Sequence, residues 1–234
     1  MTWSLIALDE QGQFGLIIAT RFFAAGARVP FVAANVGAIA TQALVNPYYG
    51  IDGMELLRTG RSPDEVLSHL LALDAGRDHR QVHMIDHEGQ IALHTGSACL
   101  DWAGHLVGKS FSIAGNMLAG PQVLEQTAEV FSGNSRLPLA PRLILAMQAG
   151  ESAGGDIRGK QSAALLIYGR SEWSLLDLRV DDHPEPLQEL ARLENVSREE
   201  WVRYRPFVPT RENPAGITDH DVIDAAVGTP GAEV

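Results

Sequence analysis

The chain is short of the residues that would tie it to a disulfide framework, a membrane or a nucleic acid. Its 234 residues include one cysteine, Cys99, so no internal disulfide is available and a reducing compartment suits it. Lysine is almost missing as well, with Lys109 and Lys160 the only two. Eighteen Lys and Arg stand against 29 Asp and Glu, and a net charge of −11 repels phosphate backbones, so nucleic acid is not expected as a partner. No run of about 18 apolar residues is free of charge, which argues against a membrane span. The opening Met1-Thr2-Trp3-Ser4 has no basic segment and reaches Asp9 and Glu10 early, unlike a signal peptide. A cytoplasmic protein is expected.

What is present is an apolar fraction of 45 %, enough for one large domain. Residues Trp3 to Leu8 and Phe14 to Thr20 read as a hairpin about Asp9-Glu10-Gln11-Gly12, and Val36 to Ala43 as a third strand. Helical periods follow at Asp52 to Arg58 and at Ser62 to Leu73, the second with Ser62 as N-cap and Pro63 at its first position. The pattern then recurs. Strands at Gln81 to Ile85, Gln90 to His94 and Ser110 to Met117 precede helices at Pro121 to Phe131 and Leu139 to Ala149, and a hairpin from Ser162 to Tyr168 and Trp173 to Val180 closes the series. Grouped strands and grouped helices favour an antiparallel α+β layering, and strands apolar on both faces need cover on each. The expected fold is a four-layer αββα sandwich over residues 1–180. Residues 181–234 then form a short, partly helical extension with a frayed end. Leu187, Leu190 and Leu193 on its first helix lack an obvious cover, which suggests a homo-oligomer, most simply a dimer.

Several motifs fail on inspection. Gly108-Lys109-Ser110 lacks the earlier glycine of a phosphate loop, since Ala103 stands there, and strand-like Phe111-Ser112-Ile113 follows it. His83, His87 and His94 fall on a hairpin and its turn, where their spacing does not converge on a metal, and they read as exposed turn histidines. No metal or cofactor is expected. Asp181-Asp182-His183 reads as a charged boundary.

Thr2 is more informative. If Met1 is removed, this residue carries a hydroxyl nucleophile and a free α-amine that titrates at about 7.7–8.0, a suitable base for that hydroxyl. The alternative is that Thr2 only begins a strand. The stretch Gly154-Gly155-Asp156-Ile157-Arg158-Gly159-Lys160-Gln161 makes a tight loop before a buried strand; its amides can face a ligand and Arg158 can clamp a carboxylate, or the loop is purely structural. Asn116 and Arg21, each at a strand end, can donate into an oxyanion hole.

These pieces together resemble a known family. Thr2-Trp3-Ser4-Leu5-Ile6-Ala7, Ala19-Thr20-Arg21-Phe22, Gly37 to Ala43, Arg80-Gln81-Val82, Gly115-Asn116 and above all Gly154-Gly155-Asp156-x-Arg158-Gly159-x-Gln161-Ser162 resemble the domain of unknown function 1028 family, grouped with the N-terminal-nucleophile (Ntn) hydrolases. The resemblance covers about Met1 to Val180 and continues through Arg179 to Pro184. It implies the αββα fold, Thr2 as nucleophile, Asn116 and Arg21 as catalytic partners, and Gln42, Asp156, Arg158 and Gln161 as residues lining a small-molecule amide substrate. The family itself has no secure substrate. Two departures stand out: no lysine is available on the third strand to tune the amine, so Arg21 would have to serve, and Ala114 replaces the glutamine more often found before Gly-Asn.

Overall fold

The computed structural model describes residues 2–228; Met1 and, of the frayed end expected at 228–234, all but Gly228 lie outside the described residues. Strands β1 (Thr2–Leu8) and β2 (Phe14–Thr20) form the first hairpin. A short edge strand β3 (Pro30–Ala33) leads to β4 (Gly37–Ala43), and helices α1 (Pro47–Arg58) and α2 (Pro63–Leu73) follow. Then come β5 (Arg80–Asp86), β6 (Ile91–Thr95), β7 (Gly104–Val107) and β8 (Phe111–Asn116). Helices α3 (Gln122–Gly133) and α4 (Leu139–Ser152) precede the closing hairpin β9 (Ser162–Tyr168) and β10 (Ser174–Val180).

Local chemistry explains the boundaries. The β1–β2 and β5–β6 hairpins share the turn sequence D-x-x-G-Q. Asp9 Oδ1 accepts from the Gln11 and Gln13 amides at 2.9 and 2.8 Å, and Asp86 Oδ1 accepts from those of Glu88 and Gln90 at 3.0 and 2.8 Å. Helix α1 starts five residues before the expected Asp52 because Asn46 caps it and Pro47 fits its first turn. Ser62 and Glu65 close a capping box on α2.

The strands make two antiparallel sheets, one ordered β10-β9-β2-β1-β8-β7 and the other β3-β4-β5-β6. Helices α3 and α4 cover the outer face of the first, and α1 and α2 that of the second, giving the expected four-layer α+β sandwich. Alternation decides what each strand shows to which layer. On β1, β2, β4, β5 and β9, Ile6, Phe14, Leu16, Ile18, Ala38, Ala40, Ile85, Ala164 and Leu166 pack together between the sheets. Ile39, Val82 and Met84 face the other way, onto Met54, Leu57, Val66 and Leu70 of α1 and α2. Each fully buried Leu or Ile in these layers contributes about 1.5–3 kcal/mol.

This first compact unit runs to Leu190. Leu187 and Leu190, on α5 (Pro186–Glu199), are fully buried within the single chain, while Leu193 on the same helix is partly exposed. The second unit, residues 191–234, contains α6 (Trp201–Tyr204) and α7 (His220–Val227), the latter capped by Asp219. No helix among the described residues is long and apolar enough to cross a membrane.

Candidate functional site

Antiparallel pairing brings four strand ends to one rim of the six-stranded sheet. Thr2 opens β1 opposite Asn116, the last residue of β8, while Thr20 closes β2 opposite Ser162, the first of β9. Thr2 Oγ1 donates to Thr20 Oγ1 at 3.2 Å, and in the chain that carries Met1 Thr2 is 7 % exposed. The surroundings are polar, since Asn116 Nδ2 and Gln42 Nε2 each donate to the Thr2 carbonyl at 3.4 Å.

The glycine-rich loop lies over the same rim. The Arg21 amide, one residue beyond Thr20, donates to Asp156 Oδ2 at 2.7 Å, and the Gln161 amide donates to the Thr20 carbonyl at 3.0 Å. Arg21 Nη1 also donates to Gln161 Oε1, and Gln161 Nε2 reaches Asp182 Oδ1 at 3.0 Å. The Asp156 carboxylate is buried; it accepts from the Arg158 amide at 2.8 Å and pairs with Arg158 Nη2 at 3.2 Å. Gly154 is needed for the loop's approach, because its φ is +125° and a Cβ there would sit 2.5 Å from that of Ala119. Four expected residues, Arg21, Asp156, Arg158 and Gln161, are thus linked to one another and, through the Gln161 amide, to Thr20. Asp156 spends its carboxylate on the loop and on Arg21 rather than facing outward.

Two expectations need correcting. Gln42 does not line a substrate surface: it is fully buried between the sheets, where Nε2 donates to Gln81 Oε1 at 2.9 Å and to the Ala114 carbonyl at 3.0 Å. Asn116 does not offer its amide hydrogens to an oxyanion, because Nδ2 is committed to Gln81 Oε1 at 3.0 Å as well as to Thr2. Both side chains point inward because alternation on β4 and β8 turns them to the inter-sheet layer.

The same alternation corrects His83, which is not an exposed turn histidine. It lies mid-strand on β5, fully buried, with Nε2 2.8 Å from Ser4 Oγ and Nδ1 2.7 Å from Ser112 Oγ. Burial, with a smaller push from His105, lowers its pKa from 6.5 to about 3, so the imidazole is neutral at ordinary pH. His87 is exposed in the turn and His94 is partly exposed, its Nε2 beside the Arg77 carbonyl at 2.9 Å. Among the described residues no group of three or more His, Cys, Asp or Glu could hold a metal ion.

Sequence reasoning missed this cluster of Ser4, Gln42, Gln81, His83, Ser112 and Asn116. The signal was there: polar residues two apart in otherwise apolar strands, at Thr2 and Ser4 and at Gln81 and His83, mark one wet stripe on one face.

Comparisons with known proteins identify a family and a solved relative for this chain. A family model described as a family of unknown function, DUF1028, matches residues 2–190. A crystal structure of a DUF1028 protein from Silicibacter pomeroyi is 32 % identical, with a TM-score of 0.84 over 93 % of this chain and 99 % of that one. A structure of Anbu, an ancestral β-subunit from Yersinia bercovieri, is 11 % identical, with a TM-score of 0.41 over 84 % of this chain and 94 % of that one. No curated protein matches the sequence.

Proposed function

Since the chain belongs to the DUF1028 family, whose description assigns no reaction, we propose from its own geometry that it is an Ntn-type amide hydrolase acting through Thr2. The observation that carries this reading is the polar rim itself. A hydroxyl at the start of a central strand lies 3.2 Å from a second hydroxyl, under an arginine-bearing loop, at the polar end of the sandwich. Removal of Met1 would leave the Thr2 α-amine as base. It takes the hydroxyl proton, Oγ1 bonds to the amide carbon, and the amine returns the proton to the leaving nitrogen. Water then cleaves the resulting ester. With the Asn116 hydrogens engaged, the developing oxyanion falls to rim backbone N–H groups and to the exposed Arg21 guanidinium. An α-amine acting as base titrates at about 7.7–8.0, so the rate should rise with pH to a plateau near about 8.

The committed Asn116 amide also favours a second reading, a ligand-binding protein on the same fold that retains Met1. Intact mass, read beside a screen of small amides and lactams, separates the two. The hydrolase begins at Thr2, loses essentially all turnover as Thr2→Ala and keeps part of it as Thr2→Ser. An active chain whose mass still includes Met1 would place the nucleophile elsewhere.

A further inference from the structure

The polar cluster between the sheets has a direction, and two main-chain carbonyls set it. Gln81 Nε2 lies 2.8 Å from the Gly115 oxygen and 3.0 Å from that of Gly104; carbonyls only accept, so the nitrogen of this amide must face them. Its Oε1 therefore faces Gln42 and Asn116, and each must present nitrogen, because a flip of either would set oxygen against oxygen. Gln42 Oε1 is then turned on Ser4, whose single hydroxyl hydrogen goes to it at 2.8 Å. With that hydrogen used, Ser4 Oγ accepts from His83, so Nε2 carries the ring proton. His83 Nδ1 is left bare and accepts from the Ser112 hydroxyl at 2.7 Å. Every link follows from the last.

We propose that Gln81 is a positioning residue: its anchored amide fixes this one-way chain and turns Asn116 so that its carbonyl oxygen, not its hydrogens, is offered beside Thr2. Among the described residues nothing donates to Asn116 Oδ1, while both hydrogens on Nδ2 have acceptors. The Thr2 rim therefore recognises a group that donates a hydrogen bond. If the hydrolase reading on which this rests holds, the substrate class is an amide bearing an N–H, favoured over its ester.

Nitrogen-15 spectra of the full chain test the polarity without any turnover. The expected result is His83 as the neutral Nε2–H form from about pH 5 to about pH 8, with slowly exchanging Asn116 side-chain hydrogens. Ser112→Ala should leave that tautomer in place because the Ser4 link remains. Ser4→Ala should release it and let the Nδ1–H form appear against Ser112. Gln81→Met should speed exchange of the Asn116 amide hydrogens. A wild-type Nδ1–H tautomer, freely exchanging Asn116 hydrogens, or identical responses to the two serine variants would overturn the proposal. Turnover of an acyl anilide against the phenyl ester of the same acid supplies the second arm. The kcat/KM ratio of anilide to ester should fall about tenfold in Asn116→Leu, which lacks an acceptor, and less in Asn116→Asp, which keeps one. An unchanged ratio in Asn116→Leu would remove the donor-recognition claim. An inert protein with the expected spectra would defeat the hydrolase reading and leave the chain of bonds standing.

Discussion

The layer between the two sheets is two materials joined end to end. Its far half, around Phe14, Leu16, Ile18, Ala38, Ile85 and Leu166, is apolar and held by shape and burial. Its rim half, from Ser4 through His83, Gln42 and Gln81 to Asn116, is held by hydrogen bonds whose donors and acceptors have only one consistent arrangement. Apolar packing tolerates a missing methyl group at moderate cost because its forces have no direction. A buried amide network has no such slack, since one lost partner leaves several groups unpaired away from water. That stiffness suits a region that must hold the ends of four strands in register beneath a site.

The largest expected effect breaks the rim half. Gln81→Leu keeps the volume but strips partners from Asn116, Gln42 and two carbonyls, and should cost on the order of 3–5 kcal/mol in urea unfolding. Ile18→Val in the apolar half should cost about 0.5–1.5 kcal/mol by the same measurement. Equal losses would mean that the two halves do not differ in kind.

Acid sharpens the contrast. The His83 pKa is lower in the folded chain, about 3, than the ordinary 6.5, so between these values the unfolded chain binds the extra proton. Stability from this group is intact above 6.5 and falls by about 1.4 kcal/mol per pH unit below it, levelling off near the folded value. Acid titration of wild type against His83→Gln should show that slope only in the wild type. Parallel curves would mean that His83 is not held neutral.

Smaller effects lie around the rim. Asp156→Ala should cost about 1–2 kcal/mol and speed hydrogen exchange at the Arg21 and Arg158 amides, which donate to its carboxylate. Arg179→Ala removes a more exposed pair with Asp181 and should cost no more than about 0.5 kcal/mol.

Much of this fold is legible in sequence because hairpin turns and caps are local. Residues Phe14–Thr20 and Ser162–Tyr168 match their expected bounds, and the D-x-x-G-Q turns explain two hairpins without tertiary information. Edge strands β3 and β7 were not legible: four residues each, they depend on pairing with β4 and β8. Helix α7 was also missed, although Asp219 before it is an N-cap signal. At the site, the chain-order motif around Asp156 and Arg158 marked the loop, whereas Gln42 and Asn116 carried the right residue types with the wrong facing. Which way an amide points depends on partners dozens of residues away, Gln81 above all, and no local pattern encodes that.

The most direct test of the central claim is to quench the Met1-free chain during reaction with an activated acyl donor and map any acyl group by mass spectrometry. The account predicts one acyl group on the peptide that begins at Thr2, absent from Thr2→Ala and from a chain that retains Met1. An adduct on any other residue, or turnover that persists in Thr2→Ala, would contradict it.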